Sequence, residues 1–155
     1  MSKSHNMPVW RVGMLASNST FVSWVLKIKS NIDSGTFRPL QLAAAQAYRN
    51  TPEWHLQANI TTYRERRDIA EKIMDTLQCH YNPSQVGMFL WGQIPECYSN
   101  CEELTERVLN EAKVFITPGF IFGTNGERYV RISLCAGKEK MQQALERIQK
   151  TFDKN

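Results

Sequence analysis

The sequence has no apolar run that approaches the ~20 residues a membrane-spanning helix requires. Its first residues also lack the apolar core of a secretory signal peptide. It has no block of consecutive basic residues either, since Arg64, Arg66 and Arg67 alternate with Glu65 and Asp68, as on a solvated helix face. With a net charge of only +4, the sequence predicts a cytoplasmic protein that binds neither nucleic acid nor membranes.

The cysteines do not have the spacing of a metal site. Zinc-binding cysteines typically come as a pair with two residues between them, followed by a second pair of ligands. Here Cys79, Cys97, Cys101 and Cys135 form no such pattern. We therefore predict four reduced thiols and no metal site.

What the chain does have is enough apolar sequence for a folded core. It contains 155 residues, of which 42% are hydrophobic and 22% charged. These values are ordinary for a globular protein and exclude disordered and collagen-like classes. The sequence contains no internal repeat and no low-complexity segment.

Apolar periodicity and punctuating residues predict the secondary structure. Helices are expected where apolar residues recur at helical spacing, several of them after a capping residue or proline, and strands where short apolar runs end at turn residues. The predicted helices are 19–31, 40–49, 51–78, 100–112 and 138–152, and the predicted strands are 11–16, 86–94, 114–117 and 129–134. Asn18 or Ser19, Thr51 and Asn100 are the predicted N-caps.

The order of elements in the second part of the chain indicates its fold class. From the third helix onward the order is helix, strand, helix, strand, strand, helix. Because two full strand–helix crossovers never follow each other, an antiparallel or mixed sheet is favoured over a parallel one. We therefore predict an α+β fold with a small antiparallel or mixed sheet flanked by helices.

Three basic residues are candidates for chemistry. Arg131 lies inside an apolar strand, where an unpaired guanidinium is costly to bury. It is either an edge-strand residue that reaches solvent or an anion-binding group, because the planar guanidinium matches a carboxylate. Taken alone, Lys3 is a surface charge in a polar segment, and Arg11 lies eight residues further on.

The sequence resembles the class I/II aminotransferases, the aspartate aminotransferase-like enzymes of fold type I that use pyridoxal 5'-phosphate. The similar segments cover nearly all of the chain and have the order and spacing of that family. They are Ser2–Gly13, Ser30–Gly35, Pro39–Ala44, Gly87–Trp91, Thr117–Gly119, Phe122–Gly123 and Tyr129–Ser133. No single segment is decisive, but the set is specific.

The resemblance implies a role for each basic candidate. Lys3 matches the catalytic lysine that bonds covalently to the cofactor and carries the proton from the substrate's Cα. Arg11 matches the arginine that binds the cofactor phosphate, and Arg131 matches the one that binds the substrate α-carboxylate. Asn31–Gly35 match a loop near the phosphate of the partner subunit, which implies a homodimer.

The chain also departs from the family pattern. Val9 stands where the family usually has glycine, which predicts an altered turn before Trp10. The serine often found three residues before the lysine, and the groups that hold the pyridine ring, have no counterpart in this sequence. The resemblance therefore implies a C-terminal portion of such an enzyme, with residues 1–52 as the tail of the large domain and 53–155 as the small domain.

These implications give a function with two alternatives. The expected function is transamination between an amino acid and a 2-oxo acid in the whole protein, with little or no activity in this fragment alone. A lyase or decarboxylase that uses the same cofactor and fold is one alternative, because fold does not determine the reaction. A non-catalytic interaction module derived from the small domain is the other.

Overall fold

The computed structural model describes residues 1–152, which form two compact units, Met1–Asn59 and the residues from Ile60 onward. The helices are α1 (Ser19–Ile32), α2 (Arg38–Arg49), α3 (Glu53–Thr76), α4 (Cys101–Arg107) and α5 (Lys138–Phe152), and the strands are β1 (Phe89–Gln93), β2 (Thr117–Pro118) and β3 (Tyr129–Ser133). Short 3-10 turns cover Pro8–Trp10, Gly119–Phe122 and Thr124–Gly126, and α4 continues into a π-helical turn over Val108–Ala112. Within residues 1–152, no helix is both long enough and apolar enough to cross a membrane.

The first unit contains α1, α2 and the first turns of α3. The predicted cap of α1 is confirmed, since the Asn18 side chain accepts a hydrogen bond of 3.0 Å from the Phe21 amide. The unit has little core, because α1 has no buried residue and Ala44 is the buried residue of α2. Several large apolar side chains of this unit, among them Trp24 and Leu26, are about three fifths exposed.

The predicted strand over residues 11–16 is wrong. These residues have no regular secondary structure. A strand needs a neighbouring strand to complete its backbone hydrogen bonds, and residues 1–59 provide none. An apolar run alone therefore did not suffice to make a strand here.

The predicted cap of α3 is also wrong. Instead of capping the helix, the Thr51 hydroxyl donates a hydrogen bond to the Ala47 carbonyl at the end of α2. The first turn of α3 is closed by the Pro52 carbonyl, which accepts a hydrogen bond of 3.0 Å from the His55 amide. The helix begins at Glu53, so Pro52 precedes its first residue.

The second unit is built on a three-stranded antiparallel sheet in the order β1–β3–β2. This confirms the α+β prediction of a small sheet flanked by helices. The predicted strand 86–94 is shortened to Phe89–Gln93 because its partner β3 offers five residues, pairing Phe89 with Ser133 at one end and Gln93 with Tyr129 at the other.

One face of this sheet packs on the helices. Alternate residues of β1 and β3 are buried, as expected when side chains alternate between the two faces. They join residues of α3, α4 and α5 in one core whose largest fully buried side chains include Met74, Leu104 and Ile148. A Cβ at Gly92 would lie 2.7 Å from Met74 Sδ, so a larger residue there would require the buried Met74 side chain to shift. The opposite face of the sheet carries Arg131.

Candidate functional site

Arg131 lies at the centre of the sheet. β3 is the middle strand, and Arg131 pairs with Trp91 on β1 and with Thr117 on β2. The alternative of an edge-strand residue is therefore wrong. The neighbours Val130 and Ile132 are buried in the core, so the strand alternation directs Arg131 to the other face.

Two phenylalanines surround the Arg131 guanidinium. Its central carbon lies 4.4 Å from the ring centre of Phe89 and 4.2 Å from that of Phe122. Both distances are within the range of cation–π attraction. The Nε atom is shielded from solvent and has no hydrogen-bond partner among residues 1–152. The two rings thus stabilise the charge without accepting ordinary hydrogen bonds from the guanidinium. The N–H donors are therefore left for a ligand.

The position of Phe122 depends on a closely packed turn. Gly119 and Gly126 approach each other so closely that a Cβ on either would clash with the backbone of the other. The Phe122 ring also makes an edge-to-face contact with Trp91, with 5.3 Å between ring centres. The turn and Trp91 together hold Phe122 against Arg131.

A cleft of about 240 Å³ adjoins Arg131 on the side of β2 and α5. Its walls are mostly apolar and include Ile116 and Met141, while Thr117, Arg131 and Lys140 provide polar groups. Such a combination of apolar walls with a few polar groups is usual for small-molecule sites. Phe89 and Phe122, which flank the guanidinium, are not among the residues that line this cleft.

Lys3 lies in the exposed turn at the start of the first unit. The turn is closed by hydrogen bonds from the His5 and Met7 amides to the Met1 carbonyl, at 3.1 and 3.4 Å. The His5 ring holds it in place, because its Nε2 lies 2.8 Å from the Thr51 hydroxyl. His5 also stacks on His55, with 5.7 Å between ring centres.

Arg11 follows the 3-10 turn over Pro8–Trp10 and is exposed. Its backbone is left-handed, with φ +50°, which is uncommon for a residue with a side chain. Val9, at the family's usual glycine position, is not among the residues with positive φ. The turn therefore accommodates valine without strain, and the left-handed conformation falls on Arg11.

Lys29, Ser30 and residues 33–36 line part of an open cleft of about 580 Å³ in the first unit. The Asp33 carboxylate accepts hydrogen bonds of 2.8 and 2.7 Å from Lys29 Nζ and one of 2.8 Å from the Gly35 amide. The hydrogen bond from Lys29 is the main cause that lowers the pKa of Asp33. Gly35 has φ +98°, which only glycine adopts readily, so this residue lets the loop turn here.

The three predicted site residues are thus divided between the two units. Lys3 and Arg11 lie in the first unit, eight residues apart in the sequence, and Arg131 lies in the second. Among residues 1–152, no group of three or more histidine, cysteine or acidic side chains is arranged to hold a metal ion.

Comparison with known proteins identifies the family. The family model for aminotransferase class I and II matches residues 1–148. The chain belongs to the class I and II aminotransferases. Its membership confirms the resemblance found in the sequence.

Individual members of this aminotransferase family are similar to the chain over most of its length. It is 36% identical to LL-diaminopimelate aminotransferase 2 of Trichormus variabilis over 149 residues, which is 96% of this chain and 38% of that protein. It is also 36% identical to glutamate-pyruvate aminotransferase AlaC of Escherichia coli over 154 residues, 98% of this chain and 37% of that protein. The aromatic aminotransferase of Pyrococcus horikoshii has the same fold over 98% of this chain and 41% of its own, with a TM-score of 0.82 and 27% identity. This chain therefore spans about two fifths of the length of the aminotransferases it matches.

The sequence predicted Arg131 as a site residue but gave no role to the residues around it. Phe89 and Trp91 were assigned to a strand and a family-like segment, and Phe122 to a family-like segment. The signal for Phe89 and Trp91 was the strand alternation, which places them on the same face as Arg131 once the register is known. Phe122 had no such signal, because its position depends on a turn that folds back over the sheet.

Proposed function

We propose that this chain is the C-terminal portion of a pyridoxal 5'-phosphate-dependent transaminase, which moves an amino group between an amino acid and a 2-oxo acid. The observation that carries the proposal is the Arg131 guanidinium, held by Phe89 and Phe122 with its Nε lacking an acceptor in the described part of the chain. An arginine held in this way suits a carboxylate, the group that amino acids and 2-oxo acids have in common. Membership of the aminotransferase family supports the same reaction.

Two residues of the first unit, Lys3 and Arg11, suit the groups through which the proposed cofactor would be held. Lys3 is an exposed amine in a held turn, and Arg11 is an exposed guanidinium that suits a phosphate dianion. Asp33 is already bonded to Lys29 and Gly35, so it does not suit the pyridine nitrogen. When bound, the cofactor withdraws electrons from the substrate's Cα and makes its proton acidic. In this proposal Lys3 holds the cofactor and accepts that proton, Arg11 binds the phosphate and Arg131 orients the substrate.

The domain arrangement and assembly are further parts of this proposal. Residues 1–52 would be the tail of the large domain and 53–155 the small domain of a cytoplasmic homodimer. The cleft lined by Ser34 and Thr36 supports a role of this loop near the partner's cofactor phosphate, because it offers two hydroxyls. The names of the relatives include diaminopimelate, glutamate–pyruvate and aromatic aminotransferases, so they support the reaction class without selecting one amino acid.

The test is a transamination assay of the full-length protein with variants at the proposed residues. Lys3→Ala is expected to reduce activity to background, whereas Lys27→Ala, at an exposed lysine of α1, should leave it unchanged. Arg131→Lys should raise the KM for both the amino acid and the 2-oxo acid about 10- to 100-fold, because a charged hydrogen bond contributes ~1.5–3 kcal/mol. Full activity of Lys3→Ala would refute the proposal.

Product analysis separates the alternatives. Release of carbon dioxide or loss of a substrate group, with no amino group passed to the 2-oxo acid, would assign a decarboxylase or lyase. No turnover and no covalent cofactor on Lys3 in the full-length protein would favour an interaction module. The 155-residue chain by itself is expected to show no transamination, since the carboxylate that would face the pyridine nitrogen is not among residues 1–59.

A further inference from the structure

The aromatic side chains around Arg131 have no role in the proposed chemistry, yet they determine the environment of the proposed carboxylate-binding group. We propose that Phe89 and Phe122 are positioning residues that prepare Arg131 for a carboxylate. They do so by attracting its charge through their ring faces while leaving its N–H donors unused. This inference rests on the proposed substrate-binding role of Arg131.

The charge of Arg131 is stabilised by aromatic rings. An arginine on a half-buried surface usually pairs with a carboxylate of the protein, which would occupy the donors that a substrate needs. None of the ion pairs formed within residues 1–152 involves Arg131. The two rings at 4.4 and 4.2 Å stabilise the cation instead. They attract its charge without placing a competing anion beside it.

Both rings are held in place by the sheet and by the turn over residues 119–126. Phe89 is the first residue of β1, which pairs with β3, so its backbone is fixed by the same sheet that carries Arg131. Phe122 comes from a separate segment and is held by the contact between Gly119 and Gly126 and by the edge of Trp91. A guanidinium placed over both rings has few other rotamers, so less side-chain entropy is lost when a carboxylate binds.

The Arg131 Nε–H is buried and has no acceptor among the residues that the structure describes. A buried N–H without an acceptor costs free energy, and an anion that accepts from it recovers this cost. The Nε–H together with one terminal N–H forms a fork that matches the two oxygens of a carboxylate. The arrangement therefore favours a carboxylate in the plane of the guanidinium.

The test uses the 155-residue chain and NMR of the arginine Nε–H groups, with Arg131→Lys to assign the signal of Arg131. Sodium acetate is the probe, and sodium chloride at equal ionic strength is the control. The wild-type signal should move with acetate to saturation and not with chloride. Ring currents from Phe89 and Phe122 should already displace this signal before acetate is added.

Three variants test the positioning role. Phe122→Leu keeps the apolar bulk but has no ring face, and it should weaken acetate binding about three- to tenfold, within the range of one cation–π contact. Phe122→Tyr keeps the ring and should bind within about twofold of the wild type. Phe120→Ala is the matched control, because Phe120 lies in the same turn but is not one of the two rings over Arg131.

The outcomes distinguish the inference from the proposal beneath it. Saturable binding in the wild type with equal affinity in Phe122→Leu would overturn the positioning role and leave Arg131 as the carboxylate-binding group. No acetate-specific movement in the wild type would overturn both. Should Phe122→Leu fail to fold, Phe89→Leu makes the same comparison from the other ring.

Discussion

Two ionisable side chains of the second unit, Cys79 and Tyr81, are held in their neutral forms by their surroundings. Burial, with a smaller effect of Cys97, raises the pKa of the Cys79 thiol to about 12. Burial and a hydrogen bond of 3.0 Å to Asp75 raise the pKa of Tyr81 to about 12 as well. Both groups lie at the end of α3 or just after it, where the chain turns toward β1.

These pKa shifts predict that alkaline conditions destabilise the chain. The thiol and the phenol lose their protons in the unfolded chain near pH 9 and 10, their ordinary pKa values, before they do so in the folded one. Their contribution to stability is therefore complete below pH ~9 and is lost as the pH rises toward about 12. Urea unfolding at pH 8 and pH 10.5 should show a lower midpoint at the higher pH.

Cysteine variants separate this effect from general alkaline damage. In Cys79→Ala the drop between the two pH values should be smaller than in the wild type, because one of the two groups is gone. Cys135→Ala, at an exposed cysteine, should show the full drop. An equal drop in both variants would contradict the role of Cys79.

At the scale of elements, α4 depends on its N-terminal cap. The Asn100 side chain accepts a hydrogen bond of 3.0 Å from the Glu103 amide. Glu102 and Glu103 add negative charge at the positive end of the helix. The short helix then buries Cys101, Leu104 and Thr105.

We expect Asn100→Ala to lower the free energy of unfolding by ~1 kcal/mol, because the first turn loses its side-chain acceptor. Asn100→Ser should retain most of the stability, since serine caps helices nearly as well. Chemical denaturation of the three proteins measures this. If Ala and Ser at this position are equally stable, the cap does not contribute.

A second prediction at the scale of elements concerns the turn over residues 119–126. Gly126→Ala should destabilise the second unit by ~2 kcal/mol or more, because the added Cβ clashes with backbone atoms that cannot move without opening the turn. It should also displace Phe122, which an altered NMR signal of Arg131 would reveal. Gly137→Ala is the control: a Cβ there has no atom within 4 Å, so its cost should be ~0.5 kcal/mol. Equal stability of the two variants would contradict the proposed tightness of the turn.

At the scale of the whole molecule, the two units differ in how much apolar surface they bury. The core of the second unit includes residues of three helices and the sheet. In the first unit, α1 buries no residue, and Trp24, Leu26 and Ile28 are about three fifths exposed. Apolar burial is the main source of stability, so the first unit should be the less stable of the two.

Hydrogen exchange tests this difference. In the 155-residue chain, amides of α1 should exchange on the order of a hundredfold faster than those of α5, whose Met141, Leu145 and Ile148 are buried. Peptides from both helices in one digest compare them under the same conditions. Equal protection would mean that α1 is stabilised by contacts other than apolar burial.

Much of the secondary structure could be predicted from local sequence signals, whereas the roles of the candidate site residues were implied by the family resemblance and stay predictions. α1, α2 and α5 lie where periodicity and capping placed them, and Asn18 and Asn100 cap as expected. These features depend on residues a few positions apart, which the sequence displays directly. The strand at 11–16 failed because a strand needs a neighbouring strand, which residues 1–59 do not provide. The cap at Thr51 failed because its hydroxyl donates to the Ala47 carbonyl instead.

The sequence by itself determined that the chain is an α+β protein of the aminotransferase family and that Lys3, Arg11 and Arg131 are its candidate site residues. Only the tertiary structure decided that β3 is the central strand, that Arg131 is therefore not an edge residue, and that Phe89 and Phe122 take the place of a protein carboxylate beside it. The physical reason is that strand order and ring contacts join residues that are far apart in the sequence. Phe89 and Phe122, for example, are more than thirty residues apart. Such contacts follow from how the turn at 119–126 closes over the sheet, and no local pattern of residues encodes that closure.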